Sequence, residues 1–324
     1  MFSRIKPFFS CNSALTNRAF SERSPLDPQT SSRPIIENPQ DDAIYFEKGN
    51  IKEIGTKISS KIYKRIAVMT GAGISVNAGI PDFRTPVTGL YAQIQEEGLP
   101  LPCPEAVFDI NFFKTNPEPF YRIGPKLVTV NKKPTLTHYF IKLLEQKGLL
   151  FMYYTQNIDG LEIKVGLSTN KLVQAHGNVN NAHCTSCKKE YPIARLREHM
   201  LEKKPAFCDC GGVVKPDVVF FGENLPTNYH SKAELIVFAD LLLVIGTGLT
   251  VFPFASLAEM VSYDTPRIVI NKGGLNSFIQ NGFKFESESK RDVFFDGDCD
   301  EIISEIVKAA MWDEDLQRLM ESKN

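Results

Sequence analysis

The chain has 324 residues, of which 43% are hydrophobic, and a formal net charge of −1 at pH 7. This length suffices for one large globular domain with a small satellite. The near-neutral charge argues against the basic surface that is typical of nucleic-acid binding. Every apolar run is shorter than the roughly 18 residues that a membrane helix needs, so neither nucleic-acid binding nor membrane insertion is expected.

Residues 1–42 differ in composition from the rest of the chain. Arg4, Lys6 and Arg18 lie in a stretch that is rich in Ser, Asn and Thr and contains no acidic residue before position 22. This composition is typical of a mitochondrial transit peptide. The alternative is a disordered tail, because Pro7 interrupts the amphipathic helix that such a peptide needs. We expect a leader that directs the protein to the mitochondrial matrix, with a cytoplasmic or nuclear location as the alternative.

Short apolar runs alternate with helical patterns from about residue 43 to residue 321. A helical pattern over 47–60 precedes the first strand-like run, and another over 135–147 ends at Gly148, a helix C-cap residue. The runs that predict strands lie at residues 66–69, 149–154, 172–175, 218–221, 241–245 and 268–270. Continuously apolar strands alternating with helices predict an α/β fold, a Rossmann-like parallel sheet with helices on both faces.

Glycine and polar residues follow each of six predicted strands. They are Gly71 to Gly73, Gln156 to Asp159, His176 with Gly177, Gly222 with Glu223, Gly246 to Gly248, and Asn271. Ligands of parallel sheets bind at the carboxyl ends of the strands. The pattern therefore predicts one binding site at this edge of the sheet.

The first of these segments is a glycine turn. Gly71 and Gly73 would let the backbone approach a pyrophosphate, although Val76 stands where a complete dinucleotide fingerprint has a third glycine. A purely structural turn is the alternative. The loop that follows, residues 79–86, holds an aromatic side chain and a charge pair with no periodic packing role, which favours a binding loop.

Four of the seven cysteines lie in one short window, at Cys184, Cys187, Cys208 and Cys210. Clustering in a long chain favours a metal site over a disulfide framework. Two thiolate pairs around the helical pattern 191–204 predict a closed, structural zinc site with one Zn²⁺ per chain. The alternative is four reduced thiols without metal. The single residue between Cys208 and Cys210 demands a tight turn, which leaves the affinity for zinc open.

Five motifs in order resemble those of the sirtuins, which are NAD-dependent protein lysine deacylases, and follow the deacetylase subclass most closely. They are Gly71-Ala-Gly-Ile-Ser75, Gly79-Ile-Pro-Asp-Phe-Arg84, Thr155-Gln-Asn-Ile-Asp159, His176-Gly177 and Lys215-Pro-Asp-Val-Val-Phe-Phe-Gly-Glu223. The resemblance implies a catalytic domain over 43–321, a cofactor-binding loop over about 80–100, and an inserted zinc module over about 178–214.

The resemblance also implies roles for individual residues. His176 is the expected general base, with Asn157 as a second catalytic residue; an ordinary core histidine is the alternative. The expected NAD contacts are Gly71, Ala72, Gly73, Ile74, Ser75, Pro81, Asp82, Phe83, Arg84, Gln156, Asn157, Ile158, Asp159, Gly246, Thr247, Gly248, Asn271, Lys272, Gly273 and Cys299. The expected contacts to an acetyl-lysine protein or peptide, which adds as a strand, are Val219, Phe220, Phe221, Gly222 and Glu223.

The implied reaction consumes NAD and releases nicotinamide, free lysine and 2′-O-acetyl-ADP-ribose. The alternatives are a mono-ADP-ribosyltransferase and a module that senses NAD without turnover. No Lys, Arg or His lies between Arg84 and Lys114. Because an acidic acyl group would be buried there without a cation, we expect neutral acyl groups, acetyl first, although Tyr91 is present.

Two departures from the family pattern concern the cofactor. The turn Gly246-Thr247-Gly248 carries Gly in place of a family Ser, and Gly273 stands where the family commonly has an acid. Each change removes one hydrogen-bonding group, worth about 0.5–1.5 kcal/mol. We therefore expect a weaker hold on NAD, on its adenosine half in particular.

Overall fold

The structure is a computed structural model that describes residues 45–47, 49–129, 131–286 and 290–322. The expected leader over residues 1–42 lies outside the described residues and stays a prediction. No described helix is long and apolar enough to cross a membrane.

In the part of the chain that the structure describes, eight strands form two sheets. They are β1 (Ile66–Thr70), β2 (Leu150–Thr155), β3 (Leu172–Gln174), β4 (Gly177–Cys184), β5 (Val214–Val218), β6 (Leu241–Ile245), β7 (Arg267–Asn271) and β8 (Asp292–Asp296). Six of them form a parallel sheet in the order β3-β2-β1-β6-β7-β8. This doubly wound order reverses between β1 and β6, where such sheets bind their ligands. The predicted Rossmann-like fold is confirmed.

Twelve α-helices surround the sheets within the described residues. They are α1 (Ile51–Ser59), α2 (Leu90–Glu96), α3 (Ile110–Thr115), α4 (Glu118–Leu127), α5 (Leu136–Gln146), α6 (Leu161–Lys164), α7 (Ile193–Leu201), α8 (Thr227–Lys232), α9 (Leu257–Met260), α10 (Asn276–Gln280), α11 (Cys299–Ala309) and α12 (Asp313–Glu321). Short 3₁₀ helices lie at Ala72–Ala78, Pro104–Phe108, Ala233–Phe238 and Phe254–Ser256.

Local sequence explains where several helices begin and end. The Asn50 side chain accepts from the Glu53 backbone N–H at the start of α1, and Asp298 accepts from two backbone N–H groups at the start of α11. Gly148 follows α5 with φ 74°, which confirms the predicted glycine C-cap. Met311, which has φ 56°, lies between the end of α11 and the start of α12.

The parallel sheet is buried on both faces. Within β1, Ile66 and Val68 pack on the face covered by α1, α5, α11 and α12, whereas Ala67 and Met69 pack on the opposite face. This alternation follows from the two-residue period of a strand. A third hydrophobic cluster lies apart from the sheet and joins α3, α4 and α7 to the β4–β5 pair.

The strand predicted over residues 218–221 is wrong. Val218 ends β5, which pairs antiparallel with β4 and is not part of the parallel sheet. The next residues turn away because Val219 N–H donates to the His176 carbonyl and Phe221 N–H donates to the Phe108 carbonyl. The apolar run reflects the burial of these side chains and not a place in the large sheet.

Candidate active site

A cavity of about 740 Å³ opens at the carboxyl ends of the parallel strands. Residues at or after the ends of β1, β2, β3, β6 and β7 line it, as the strand-end pattern predicts. Gly222 and Glu223, which the same pattern includes, do not line it, and the loop after β8 contributes instead. The lining residues are Ala72, Gly73, Val76, Asp82, Phe83, Arg84, Thr85, Thr88, Tyr91, Phe108, Gln156, Asn157, Ile158, His176, Val218, Val219, Phe221, Gly246, Thr247, Gly248, Thr250, Val251, Asn271, Lys272, Gly297, Asp298 and Cys299.

The glycine turn after β1 packs against the turn after β6. A Cβ atom at Gly73 would lie 2.7 Å from the Gly246 Cα, and one at Gly71 would lie 2.7 Å from the Thr247 Cβ. Gly246 itself has φ 63°, and a Cβ there would lie 2.5 Å from the Ile74 nitrogen. Only glycine allows this close approach, which leaves the backbone of both turns at the cavity wall.

The loop after β2 is fixed by buried hydrogen bonds to the same region. Ser75 Oγ donates to Asp159 Oδ2 over 2.7 Å, and Asn157 Nδ2 donates to Ser75 Oγ over 3.1 Å. Thr247 Oγ1 donates to Gln156 Oε1 over 2.8 Å. These bonds join the loops after β1, β2 and β6 into one continuous wall.

A small cavity of about 40 Å³ adjoins the large one. Ser75, Pro81 and Asp159 line this small cavity and are absent from the lining of the large one. Ala72, Phe83, Asn157 and Ile158 line both. The predicted NAD contacts from the loops after β1 and β2 therefore lie in two adjoining cavities. Gly71 and Ile74 line neither of them.

His138 and Glu162 are fully buried behind this wall, close to Asp159. His138, Asp159 and Glu162 each place one potential metal-binding atom within 4.8 Å of the other two. Glu162 Oε1 accepts from Thr155 Oγ1 over 3.0 Å, and burial together with the Asp159 charge raises the pKa of Glu162 to about 8. Burial lowers the pKa of His138 to about 4. Sequence reasoning did not single out either residue.

His176 lines the cavity, and one of its two ring nitrogens has no hydrogen-bond partner among the described residues. Nδ1 lies 3.2 Å from the Gln156 carbonyl oxygen, and the buried Nε2 has no hydrogen-bond partner among the described residues. A carbonyl only accepts, so Nδ1 carries the proton and Nε2 presents its lone pair. Burial, aided by the positive charge of Arg84 and opposed by the Gln156 contact, lowers the pKa of His176 to about 4.

The loop after the glycine turn is ordered by Asp82, whose carboxylate accepts from the backbone N–H groups of Arg84 and Thr85. Phe83 packs against Tyr91 and Phe108, with ring centroids 5.8 Å and 6.0 Å away. This aromatic group forms one apolar wall of the cavity.

The segment predicted to contact the peptide is only partly at the cavity. Val219 and Phe221 line it, whereas Phe220, Gly222 and Glu223 do not. Phe220 is fully buried within an aromatic cluster, and Glu223 forms an ion pair with Lys215 at 3.0 Å.

Asn271, Lys272 and Cys299 also line the cavity, as do Gly297 and Asp298. Gly273 is not among the lining residues, and its N–H donates to Asp296 Oδ1 over 3.0 Å. Burial raises the pKa of the Cys299 thiol to about 12, so this thiol stays protonated and unreactive at neutral pH.

The four predicted metal ligands come together at the β4–β5 pair. All four sulfur atoms lie within 4.8 Å of one another; Cys184 and Cys210 are separated by 3.5 Å, and Cys187 and Cys208 by 3.7 Å. Tetrahedral Zn–S bonds of about 2.3 Å place sulfur atoms about 3.8 Å apart. The donor set therefore fits zinc.

Two glycines make the short Cys208-x-Cys210 spacing compatible with this cluster. Gly211 has φ 81°, and a Cβ at Gly212 would lie 2.6 Å from Cys184 Sγ. Cys208 N–H donates to the Gly212 carbonyl and Gly211 N–H to the Cys208 carbonyl, each over 2.8 Å. This tight turn brings both sulfur atoms to the same side.

Several lining residues were not predicted, and two of them had a usable signal. Thr250 and Val251 directly follow the predicted turn after β6, so a wider window at that strand end would have included them. Thr85 and Thr88 were not named singly, but they lie in the cofactor-binding loop expected over about 80–100. Phe108 reaches the cavity through tertiary packing, and Gly297 and Asp298 follow β8, a strand that was not predicted.

Comparison with known proteins identifies the family. The sequence model of the Sir2 family matches residues 71–253, which is more than half of the chain. The chain belongs to the Sir2 family. The match includes the glycine turn, His176 and all four clustered cysteines.

Sir2-family relatives match most of the chain. The NAD-dependent deacetylase sir2A of Dictyostelium discoideum is 45% identical over 292 residues, which is 88% of this chain and 56% of that protein. The NAD-dependent protein deacetylase sirtuin-3 of Mus musculus is 40% identical and covers 85% of this chain and 80% of its own length. The NAD-dependent protein deacetylase sirtuin-2 of Danio rerio is 42% identical, with corresponding shares of 81% and 72%.

Proposed function

We propose that this Sir2-family chain is an NAD-dependent protein lysine deacetylase that releases nicotinamide and 2′-O-acetyl-ADP-ribose. The observation that carries the proposal is the His176 imidazole, whose free Nε2 shares one cavity with the glycine turn. The names of the relatives, all NAD-dependent deacetylases, support the same activity.

The cavity wall fits NAD. Gly71, Gly73 and Gly246 allow a pyrophosphate to approach the backbone, because side chains are excluded at these positions. Gln156 Nε2, like His176 Nε2, is buried without a partner among the described residues, so it is available to a bound molecule. NAD, when bound, supplies an electrophilic ribose carbon that carries nicotinamide as its leaving group.

His176 acts as the general base in this proposal. Its lowered pKa keeps the imidazole neutral at physiological pH, so Nε2 can take a proton from a ribose hydroxyl. Asn157, held by Ser75, orients the reacting end of the site. The aromatic wall of Phe83 and Phe108 limits the access of water that would otherwise intercept the reaction.

The acyl group that this cavity accepts is neutral. Arg84 and Lys272 are the cationic residues among those that line it, and both are expected NAD contacts. The wall formed by Phe83, Tyr91 and Phe108 is apolar apart from the Tyr91 hydroxyl, and burial raises the pKa of Tyr91 to about 12. A dicarboxylic acyl group would leave its carboxylate poorly paired there.

The four cysteines hold one structural Zn²⁺ in this proposal. Their sulfur geometry matches tetrahedral coordination, and four thiolates leave no position for substrate. Metal analysis of the purified chain checks that one Zn²⁺ is bound per chain.

A mitochondrial location is proposed from the composition of residues 1–42. A fluorescent protein that carries those residues should enter mitochondria. A uniform cytoplasmic signal would contradict this.

The activity is tested by incubating the full chain with NAD and peptides that carry acetyl-lysine, succinyl-lysine or unmodified lysine. We expect nicotinamide release that depends on the acetylated peptide and matches the amount of free lysine formed. Nicotinamide release without acylated peptide, or faster release with the succinylated peptide, would contradict the proposal.

A further inference from the structure

Lys215 is a buried lysine in β5, only 8% exposed, with a partner for each of its ammonium protons. Nζ donates to the Val218 carbonyl over 2.6 Å and to the Pro216 carbonyl over 3.3 Å, and it lies 3.0 Å from Glu223 Oε2. An ammonium group has three donors, so these three acceptors satisfy it.

Glu223 closes the same segment from its other end. Its Oε2 also accepts from the Phe220 backbone N–H over 2.8 Å, and its own N–H donates to the Phe220 carbonyl over 3.0 Å. Gly222 has φ 91°, as required at the third position of a type II turn. Residues 215–223 therefore form a loop that one ion pair closes, which we call the clamped loop.

The clamped loop carries the cavity wall that faces His176. Val218, Val219 and Phe221 line the cavity, whereas Lys215 and Glu223 do not. Val219 N–H donates to the His176 carbonyl over 2.8 Å. The ion pair thus holds a segment that shares the cavity with His176 and is bonded to its backbone, although neither partner of the pair lines the cavity.

Burial makes this pair sensitive to the loss of either charge. Burial lowers the pKa of Lys215, and the negative charge of Glu223 opposes that shift. Removing one partner leaves the other charge in a poorly solvated place, so the loop would rearrange. The predicted NAD contacts lie at or after the ends of β1, β2, β6, β7 and β8 and are outside the clamped loop.

We propose that Lys215 and Glu223 are positioning residues for the acyl-lysine substrate, because their ion pair holds the Val219–Phe221 wall against His176. The inference rests on the proposed deacetylase function and assigns Glu223 a role different from the direct peptide contact expected from sequence. Loss of the pair weakens binding of the acylated peptide and leaves NAD binding unchanged.

The test compares Lys215→Met and Glu223→Gln in the full chain with the wild type. We expect the KM for an acetyl-lysine peptide to rise at least about fivefold in both variants, with the KM for NAD and kcat within about twofold. Lys204→Met is the matched control, since Lys204 pairs with Glu202 on the surface, with side chains 72% and 62% exposed. This control should keep wild-type constants.

A purely structural role would lower thermal stability while the peptide KM stays within twofold, or would raise the KM of peptide and NAD equally. Either result overturns the proposal. If Lys215→Met does not fold, the peptide KM of Glu223→Gln alone decides between the positioning role and a purely structural role.

If the wild type removes no acetyl group, the proposed function fails instead. The positioning role is then tested by fluorescence anisotropy, which measures the Kd of the wild type and both variants for a labelled acetyl-lysine peptide in the presence of NAD. A higher Kd in both variants supports the positioning role, and an unchanged Kd overturns it.

Discussion

The backbone N–H of Gly73 donates to the carbonyl of Gly246 over 2.8 Å, which joins the turn after β1 to the turn after β6. These strands are neighbours at the point where the strand order reverses. A pyrophosphate-binding turn and a purely structural turn have the same Gly-x-Gly sequence. The contact with Gly246 at the wall of a cavity that also holds His176 favours binding.

The first prediction concerns Gly246→Ala. A Cβ there would lie 2.5 Å from the Ile74 nitrogen at φ 63°, so the two turns must separate. We expect the Kd for NAD, measured by calorimetry, to rise at least about tenfold, or ~1.4 kcal/mol. Gly274→Ala is the matched control, because its Cβ would have no atom within 4 Å and Gly274 does not line the cavity. Equal affinities of the two variants would contradict the role of the Gly246 contact.

The second prediction concerns Gly248→Ser, which restores the family hydroxyl. The position has ordinary van der Waals space, so the side chain fits without strain. One regained hydrogen bond of about 0.5–1.5 kcal/mol should lower the KM for NAD about two- to tenfold. Gly273 offers no comparable test, because its φ of 106° would strain any side chain. An unchanged or higher KM in Gly248→Ser would count against a weakened hold on the cofactor.

The third prediction concerns the pH dependence of kcat/KM, which reports groups of the free enzyme. The base is active when neutral, so activity is lost as pH falls through the His176 pKa of about 4. Without burial the loss would centre near pH ~6.5. Fluorescence of the single tryptophan, Trp312, checks that the protein remains folded at each pH. An acid limb centred near 6.5 would contradict the buried imidazole.

The fourth prediction concerns Glu162, whose pKa is raised to about 8. Between about pH 4.5 and pH 8 the folded state holds a proton that the unfolded state has lost. The stability contributed by this proton is therefore complete below that range and disappears as pH rises through it. Glu162→Gln does not titrate, so its free energy of unfolding relative to wild type should increase with pH. Urea unfolding at several pH values measures this, and parallel curves would contradict it.

The sequence predicted five of the six parallel strands, because continuous apolar runs such as residues 241–245 are unmistakable. It missed β8, where Asp292 and Asp296 flank three apolar residues and Asp292 is buried in an ion pair with Arg267. That pairing depends on tertiary structure and leaves no periodic signal. The wrong strand at 218–221 has a related cause, since Phe220 is buried in an aromatic cluster and not in a sheet.

Site residues could be predicted from the sequence where they follow a strand. They could not be predicted where tertiary packing brings them to the cavity from another part of the chain. His176 and the turn at Gly246 follow β3 and β6 directly, and the structure brings them together. Phe108 precedes α3 and reaches the cavity through its packing with other aromatic side chains, among them Phe83 and Tyr91. The role of Glu223 likewise depends on its contact with Lys215, which the spacing of the two residues does not reveal.

The most direct test of His176 as the base incubates wild type and His176→Ala with an acetyl-lysine peptide and NAD. Mass spectrometry then measures the deacetylated peptide and the acetylated ADP-ribose. We predict one acetylated ADP-ribose for each lysine freed by the wild type, and product formation reduced at least about a hundredfold in the variant. His230→Ala, at an exposed histidine on α8, should match the wild type. Acetyl removal by His176→Ala at the wild-type rate would contradict the role of the imidazole as the base.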